Sequence, residues 1–185
     1  MPNWCDNTMT LRGPRDQIKK LADAFAEGKF CNAVLPIPED LHITAGFLGD
    51  TDKQAELERK TAENKEKHGY GNWYEFCCAR WDTKWDVGGQ DAHYDERDDG
   101  YDAVMTASFK SAWAPPCGIY AELEEQGIAV QAYYWEPGCA FAGRWEDGEE
   151  ETYEVTSIKD AQRLPADIED AFGIVEQLEE WAEDE

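Results

Sequence analysis

The chain has 185 residues, 42% hydrophobic and 12% aromatic, which is enough to bury a core in one domain, with or without an insertion, and argues against global disorder. Seventeen basic against 41 acidic residues give a formal net charge of -24, a field that repels phosphates and counts against direct binding of nucleic acid. No apolar run approaches the ~20 residues needed to span a bilayer, and the opening MPNWCDNTMTLRG lacks the basic region and apolar core of a signal peptide, so a cytoplasmic protein with no membrane contact is expected.

In chain order, residues 3–12 alternate, with Thr8, Thr10 and Arg12 on one side and Met9 and Leu11 on the other. This predicts a strand, closed by Gly13. Pro14 suits a first helical turn, and Ile18, Leu21, Ala22 and Phe25 recur at helical spacing before a stop at Gly28. Residues 29–38, KFCNAVLPIP, read as an edge strand or extended connection, because two prolines bar a central strand. Residues 50–68 are strongly polar good helix formers and predict an exposed helix, capped by Asp50, Thr51 or Asp52.

The densest aromatic stretch is residues 71–89, GNWYEFCCARWDTKWDVGG, with Trp73, Trp81 and Trp85 beside Tyr74, Phe76 and the Cys77–Cys78 pair. Each ring hides roughly 150–250 Å² when packed, so the block is either an internal module or a binding surface. The polar loop DAHYDERDDG sets Asp95, Asp99 and Gly100 as in a calcium loop, but Arg97 and Thr106 break the ligand set. Tyr101 to Trp113 alternates and predicts a strand, IYAELEEQG a short helix, and Ile128 to Trp135 another strand. Cys139 to Trp145 and Glu151 to Ile158 predict an antiparallel pair turning at EDGE. Residues 166–185 predict one acidic helix with Ile168, Phe172, Val175, Leu178 and Trp181 as its apolar stripe. The order predicts an α+β sandwich, a mainly antiparallel sheet with helices on one face.

Five segments in order then resemble one family: Pro2, Asn3, Trp4, Cys5 and Asn7; LPIP at 35–38; WDTKWD at 81–86; FKSAWAPP at 109–116; and YYWEPGCAFAG at 133–143. Together they are similar to the YubB-type ferredoxin-like domain family of phages, plasmids and other mobile elements. The resemblance implies a ferredoxin-like sandwich over about residues 1–145, with a helical, aromatic insertion at about 50–100 after the first helix. Residues 146–185 lie beyond the motifs as an acidic extension, a hairpin strand plus helix packed on the same domain. The family pattern places Gly where Asp82 stands. It carries no established activity and so no catalytic residue, and its fold name denotes topology rather than an iron–sulfur cluster. A host-cell cytoplasm is the implied setting.

The six cysteines form no CxxC pair and the three histidines no HxxxH, so no metal or cofactor is expected. No nucleophile elbow, Walker loop or GxGxxG appears, which points away from an enzyme. Cys77 beside Arg80 and Lys84 has the setting of a thiol with lowered pKa. Two surfaces are candidates. If residues 81–86 are extended, Trp81 and Trp85 share a face, and with Lys84 and Asp86 they make a recognition surface. Alternatively, the tryptophans lock the insertion onto the sheet while Lys84 pairs with a carboxylate. The second surface is acidic: residues 126–185 carry 3 basic and 17 acidic groups, among them Glu149, Glu150, Glu151, Glu176, Glu179 and Glu180. Such a surface fits a basic host protein, as a mimic of nucleic acid that inhibits a defence or DNA-binding protein. Acidity also serves solubility or salt adaptation, and a small ligand-binding domain or enzyme at Trp81–Asp86 is the alternative function.

Overall fold

A computed structural model describes residues 3–96 and 103–183. The first strand, β1 (Trp4–Gly13), alternates buried Cys5, Asn7, Met9 and Leu11 with partly exposed Asp6, Thr8, Thr10 and Arg12. It pairs antiparallel with β3 (Ala103–Ala112) on one side and β4 (Ala129–Glu136) on the other, which sets Thr8 opposite both Ser108 and Tyr133. Outside β3 lies β2 (His93–Glu96), and outside β4 lie β5 (Phe141–Glu146) and β6 (Glu149–Glu154). The result is one six-stranded sheet, in the order β2-β3-β1-β4-β5-β6, with every neighbouring pair antiparallel.

On the apolar face lie α1 (Arg15–Ala26) against β3 and α5 (Cys117–Glu125) against β4, bridged by α2 (Phe30–Val34). Phe25 is the hub: fully buried, it meets Phe30 and Phe109 edge-on at 5.8 and 5.7 Å between ring centres, the geometry aromatic pairs favour. The insertion supplies α3 (Thr51–His68), whose Asp50 cap accepts from the N–H groups of Asp52 and Lys53, and α4 (Trp73–Arg80). The exposed helix expected at 50–68 is thus present, with Leu57 and Asn64 its buried positions.

Three expectations need correction. Residues 30–34 are helical rather than extended: Phe30, Cys31 and Val34 turn inward together, and both prolines fall after the helix ends. The helices do not keep to one face. Tyr133 and Trp135 point away from the α1–α5 layer, and α6 (Ile158–Ala161), α7 (Ala166–Phe172) and α8 (Ile174–Glu183) close over them with Ala142, Val155, Ile168 and Ile174. The C-terminal helix is also two. Gly173 adopts φ 61, and the Glu169 carboxylate accepts from the N–H groups of Ile174 and Val175, restarting the helix. Trp181 therefore leaves the predicted stripe and is 46% exposed.

The hairpin at EDGE forms as expected, with Glu146 opposite Glu149 across Asp147–Gly148, whose φ values of 51 and 79 suit a two-residue turn. The boundary at 145/146 therefore runs through a continuous strand. Part of the broken calcium-loop pattern, residues 97–100, lies outside the described residues, as do Pro2 and Tyr101. No helix among the described residues is long and apolar enough to cross a membrane.

If Phe25 is the hub, Phe25→Ala should lower the unfolding free energy by about 3–5 kcal/mol in urea titration. Trp181→Ala, at the exposed end of α8, should change it by no more than about 0.5 kcal/mol.

Candidate functional site

The segment that leaves α4, Trp81 to Asp86, is irregular, and each residue is fixed by a different contact. Trp81 is buried, and its indole N–H donates to the Leu35 carbonyl at 3.0 Å. Asp82 adopts φ 62, a conformation glycine takes without strain, and its carboxylate lies against Gly118 at the start of α5. That approach needs Gly118 itself, since a Cβ there would overlap the Arg80 carbonyl oxygen. Thr83 Oγ1 donates to the Ala112 carbonyl at 3.1 Å and accepts from the Ala112 N–H at 3.2 Å, so a hydroxyl stands where a neighbouring strand would pair. Asp86 accepts from the N–H groups of Cys31 (2.6 Å) and Asn32 (3.1 Å) at the start of α2, and from Val87 (2.9 Å). Asp86 therefore caps α2 from a distant segment, while Asp82 lies beside the start of α5. Burial raises the pKa of both; backbone N–H groups oppose the rise, and at Asp82 the nearby Glu150 adds to it.

Lys84 points outward into a ring of aromatics. Its ammonium lies 4.8 Å from the Trp85 ring centre, 4.9 Å from Trp113 and 5.6 Å from Tyr74, with no carboxylate partner among the described residues. Trp85 leans on Trp4 at 6.0 Å, and Trp4, Trp85 and Trp113 are 43%, 39% and 39% exposed. Trp113 has φ 75, an outlier for so bulky a residue, and its N–H donates to the Asn3 carbonyl at 2.9 Å. The Asn3 amide in turn reaches Cys139 Sγ at 3.4 Å, in a turn that Glu136 caps through Gly138 and Cys139. Five segments distant in sequence thus meet at one end of the sheet.

Of the predicted recognition residues, Lys84 and Trp85 lie on the surface while Trp81 and Asp86 are structural. Trp81 and Trp85 share no face, because the backbone turns at Asp82 rather than running extended. A hollow of about 330 Å³ remains between them, floored by Trp73, Trp81 and Cys77 and rimmed by Lys29, His42 and Lys84. Trp4 and Trp113 were not singled out as site residues, although each lies in a motif segment.

The thiol expectation is reversed. Burial, then Cys78 and Asp86, push Cys77 up to about 12, and burial raises Cys5, Cys31 and Cys117 as well, so these thiols stay protonated at neutral pH. Among the described residues no group of His, Cys, Asp and Glu is placed to hold a metal ion.

The acidic residues divide. Glu150 accepts from the Tyr134 hydroxyl at 2.8 Å and from the Cys117 thiol at 3.4 Å on the α5 side of the sheet. Glu151 points the other way, to Arg144, because neighbours on a strand alternate. Glu149, at the hairpin turn, and Glu176, Glu179 and Glu180 on α8 are exposed.

The sequence matches no family model, and no curated protein matches it. Among solved structures, protein api92 from Yersinia pseudotuberculosis, of family model DUF1281, is similar over 85% of this chain and 99% of that one, with 11% identity and a TM-score of 0.43. Likeness at that level carries no conclusion about fold or function.

Asp86→Ala should cost about 2–3 kcal/mol, since it strands three N–H groups. Asp86→Asn, which keeps one acceptor, should cost less. Because burial raises the folded pKa of Asp86 above the unfolded value, wild type should gain stability relative to Asp86→Asn as pH falls from neutral through that folded pKa, levelling below the unfolded one. Urea titrations across the acid range would read this difference, and a gain on raising the pH would reverse the sign.

Proposed function

We propose that this chain is a non-enzymatic acidic accessory protein that binds a basic host protein, lying where that partner would otherwise hold nucleic acid phosphates. One observation carries the reading. Between Glu136 and Glu183, only Glu151 and Asp167 make ion pairs among the described residues, and they share Arg144. Earlier in the chain compensation is common, as in Asp23 with Lys19, Asp40 with Lys67, Glu56 with Lys60 and Asp6 with Lys110. Exposed Glu149 and Glu154 on β6 and Glu176, Glu179 and Glu180 on α8 therefore have no ion-pair partner among the described residues. Uncompensated charge of one sign repels itself, and a cationic partner surface relieves that repulsion.

The strand order supports a ferredoxin-like core: β1–α1 leads to β2 and β3–α5 leads to β4, in the order β2-β3-β1-β4. The mobile-element setting, the cytoplasm of a host cell and a role against a host defence or DNA-binding protein rest on the resemblance to the YubB-type family. A second reading, a small-ligand domain or an enzyme, is favoured by the hollow beside Lys84. It requires Lys84→Ala to abolish ligand binding while leaving the fold intact.

The first reading is tested by pull-down from host lysate at low and moderate salt, with the triple variant Glu176→Gln, Glu179→Gln, Glu180→Gln alongside. Capture of a basic protein should fall about tenfold as salt rises, and again in the triple variant. Undiminished capture by the triple variant would remove the C-terminal helix from the interface.

A further inference from the structure

The sheet's second face is only partly covered. Beyond the β4–β6 end that α6–α8 close, it opens as a trough of about 1120 Å³. Its floor is the polar side of the three central strands: Asp6, Thr8 and Thr10 from β1, Ser108 from β3, and Gln131 and Tyr133 from β4. One wall is the stretch Asp86–Gln90, held to the molecule where Gly89 N–H donates to the Phe25 carbonyl at 2.7 Å and the Gln90 amide donates to the Ser108 carbonyl. The opposite wall is α7 and the start of α8, through Asp167, Asp170, Phe172 and Gln177.

We infer that this trough is the docking groove for an extended, arginine-bearing segment of the basic partner. The inference rests on the basic-partner reading above and adds a second contact, beside its exposed carboxylates, of stated place and form. Charge is the first argument. Asp6, Asp86, Asp167 and Asp170 line the trough against one cation, Lys110, which Asp6 already holds at 2.5 Å. Asp167 is held by Arg144 at 2.8 Å and Asp86 by its amides, which leaves Asp170 exposed with no ion pair among the described residues. Shape and chemistry are the second. Three rings, Trp4, Tyr133 and Phe172, stand in an otherwise hydroxyl- and amide-lined channel. A guanidinium stacks on such faces and donates to carboxylates and hydroxyls in one plane, while its methylene stem covers apolar surface. Size is the third. The trough exceeds the ~300–1,000 Å³ of ordinary small-molecule sites. A nucleic acid strand would find the same rings but meet like charge.

The test is fluorescence anisotropy of fluorescein-labelled octa-arginine with the full chain, at moderate salt so that diffuse attraction is screened. Thr8→Trp blocks the floor without changing charge and should weaken binding about tenfold. Asp170→Asn removes an exposed carboxylate with no hydrogen bond or ion pair among the described residues, so it should leave the fold intact and weaken binding about threefold. The triple glutamine variant on α8, outside the trough, should have a smaller effect than either. Unchanged binding in both trough variants overturns the inference. If the α8 triple alone then weakens binding, the basic-partner reading survives with α8 as its site. If octa-arginine does not bind at all and the pull-down captures no basic protein, both fall. Tighter binding of labelled oligothymidine than of octa-arginine, abolished by Thr8→Trp, would make the occupant a nucleic acid and overturn the peptide assignment.

Discussion

Everything in the fold follows from the alternation of β1. Hydrogen-bonded along both edges, the strand has no freedom to slip, because a shift of one residue would send Met9 and Leu11 to solvent and bury Asp6 and Arg12. Its odd-numbered side chains call for an apolar layer, which α1, α2 and α5 supply. Its even-numbered side chains forbid one. The helical insertion must therefore pack on and around the first layer, and the segment returning from it must reach the outer edge of β3.

That return is what residues 81–86 accomplish. Thr83 pairs with Ala112 in place of a strand, Asp86 caps the first amides of α2, and Asp82 lies beside the start of α5. Both carboxylates bear a cost of desolvation, and backbone N–H groups offset it. The aromatic box around Lys84 is the outward by-product of the same turn. Once Trp81 faces in and Asp82 reverses the chain, Lys84 and Trp85 can only face out, onto Trp4, Tyr74 and Trp113.

How much of this was legible follows from how local each cause is. The strands at 4–13, 103–112 and 129–136 and the helix at 15–26 carry their own period, and sequence alone suffices for them. The helix at 30–34 was not legible, because it is stabilised by Asp86, 55 positions from Cys31. The break at Gly173 lay within a continuous apolar pattern that outweighed a single glycine, and the second helical layer depended on Tyr133 and Trp135 facing away from Tyr134. In the candidate site, residues 81–86 stood out by composition, but their division into inward and outward members rests on one backbone angle at Asp82. Trp4 and Trp113 join them only through contacts distant in sequence.

The same alternation explains why the second face is left half open. Helices α6–α8 settle where Trp135, Ala142 and Tyr153 offer apolar area. They stop short of β1 and β3, because covering Asp6, Thr8, Ser108 and Lys110 would desolvate polar groups and gain no apolar burial in return. An uncovered sheet normally draws other strands at its edges, but here one edge is β6, bearing Glu149, Glu150 and Glu151. Repulsion between copies guards that edge. The excess negative charge thus sets copies of the sheet edge against one another, and on the proposed reading the same charge draws a cationic segment to the polar trough.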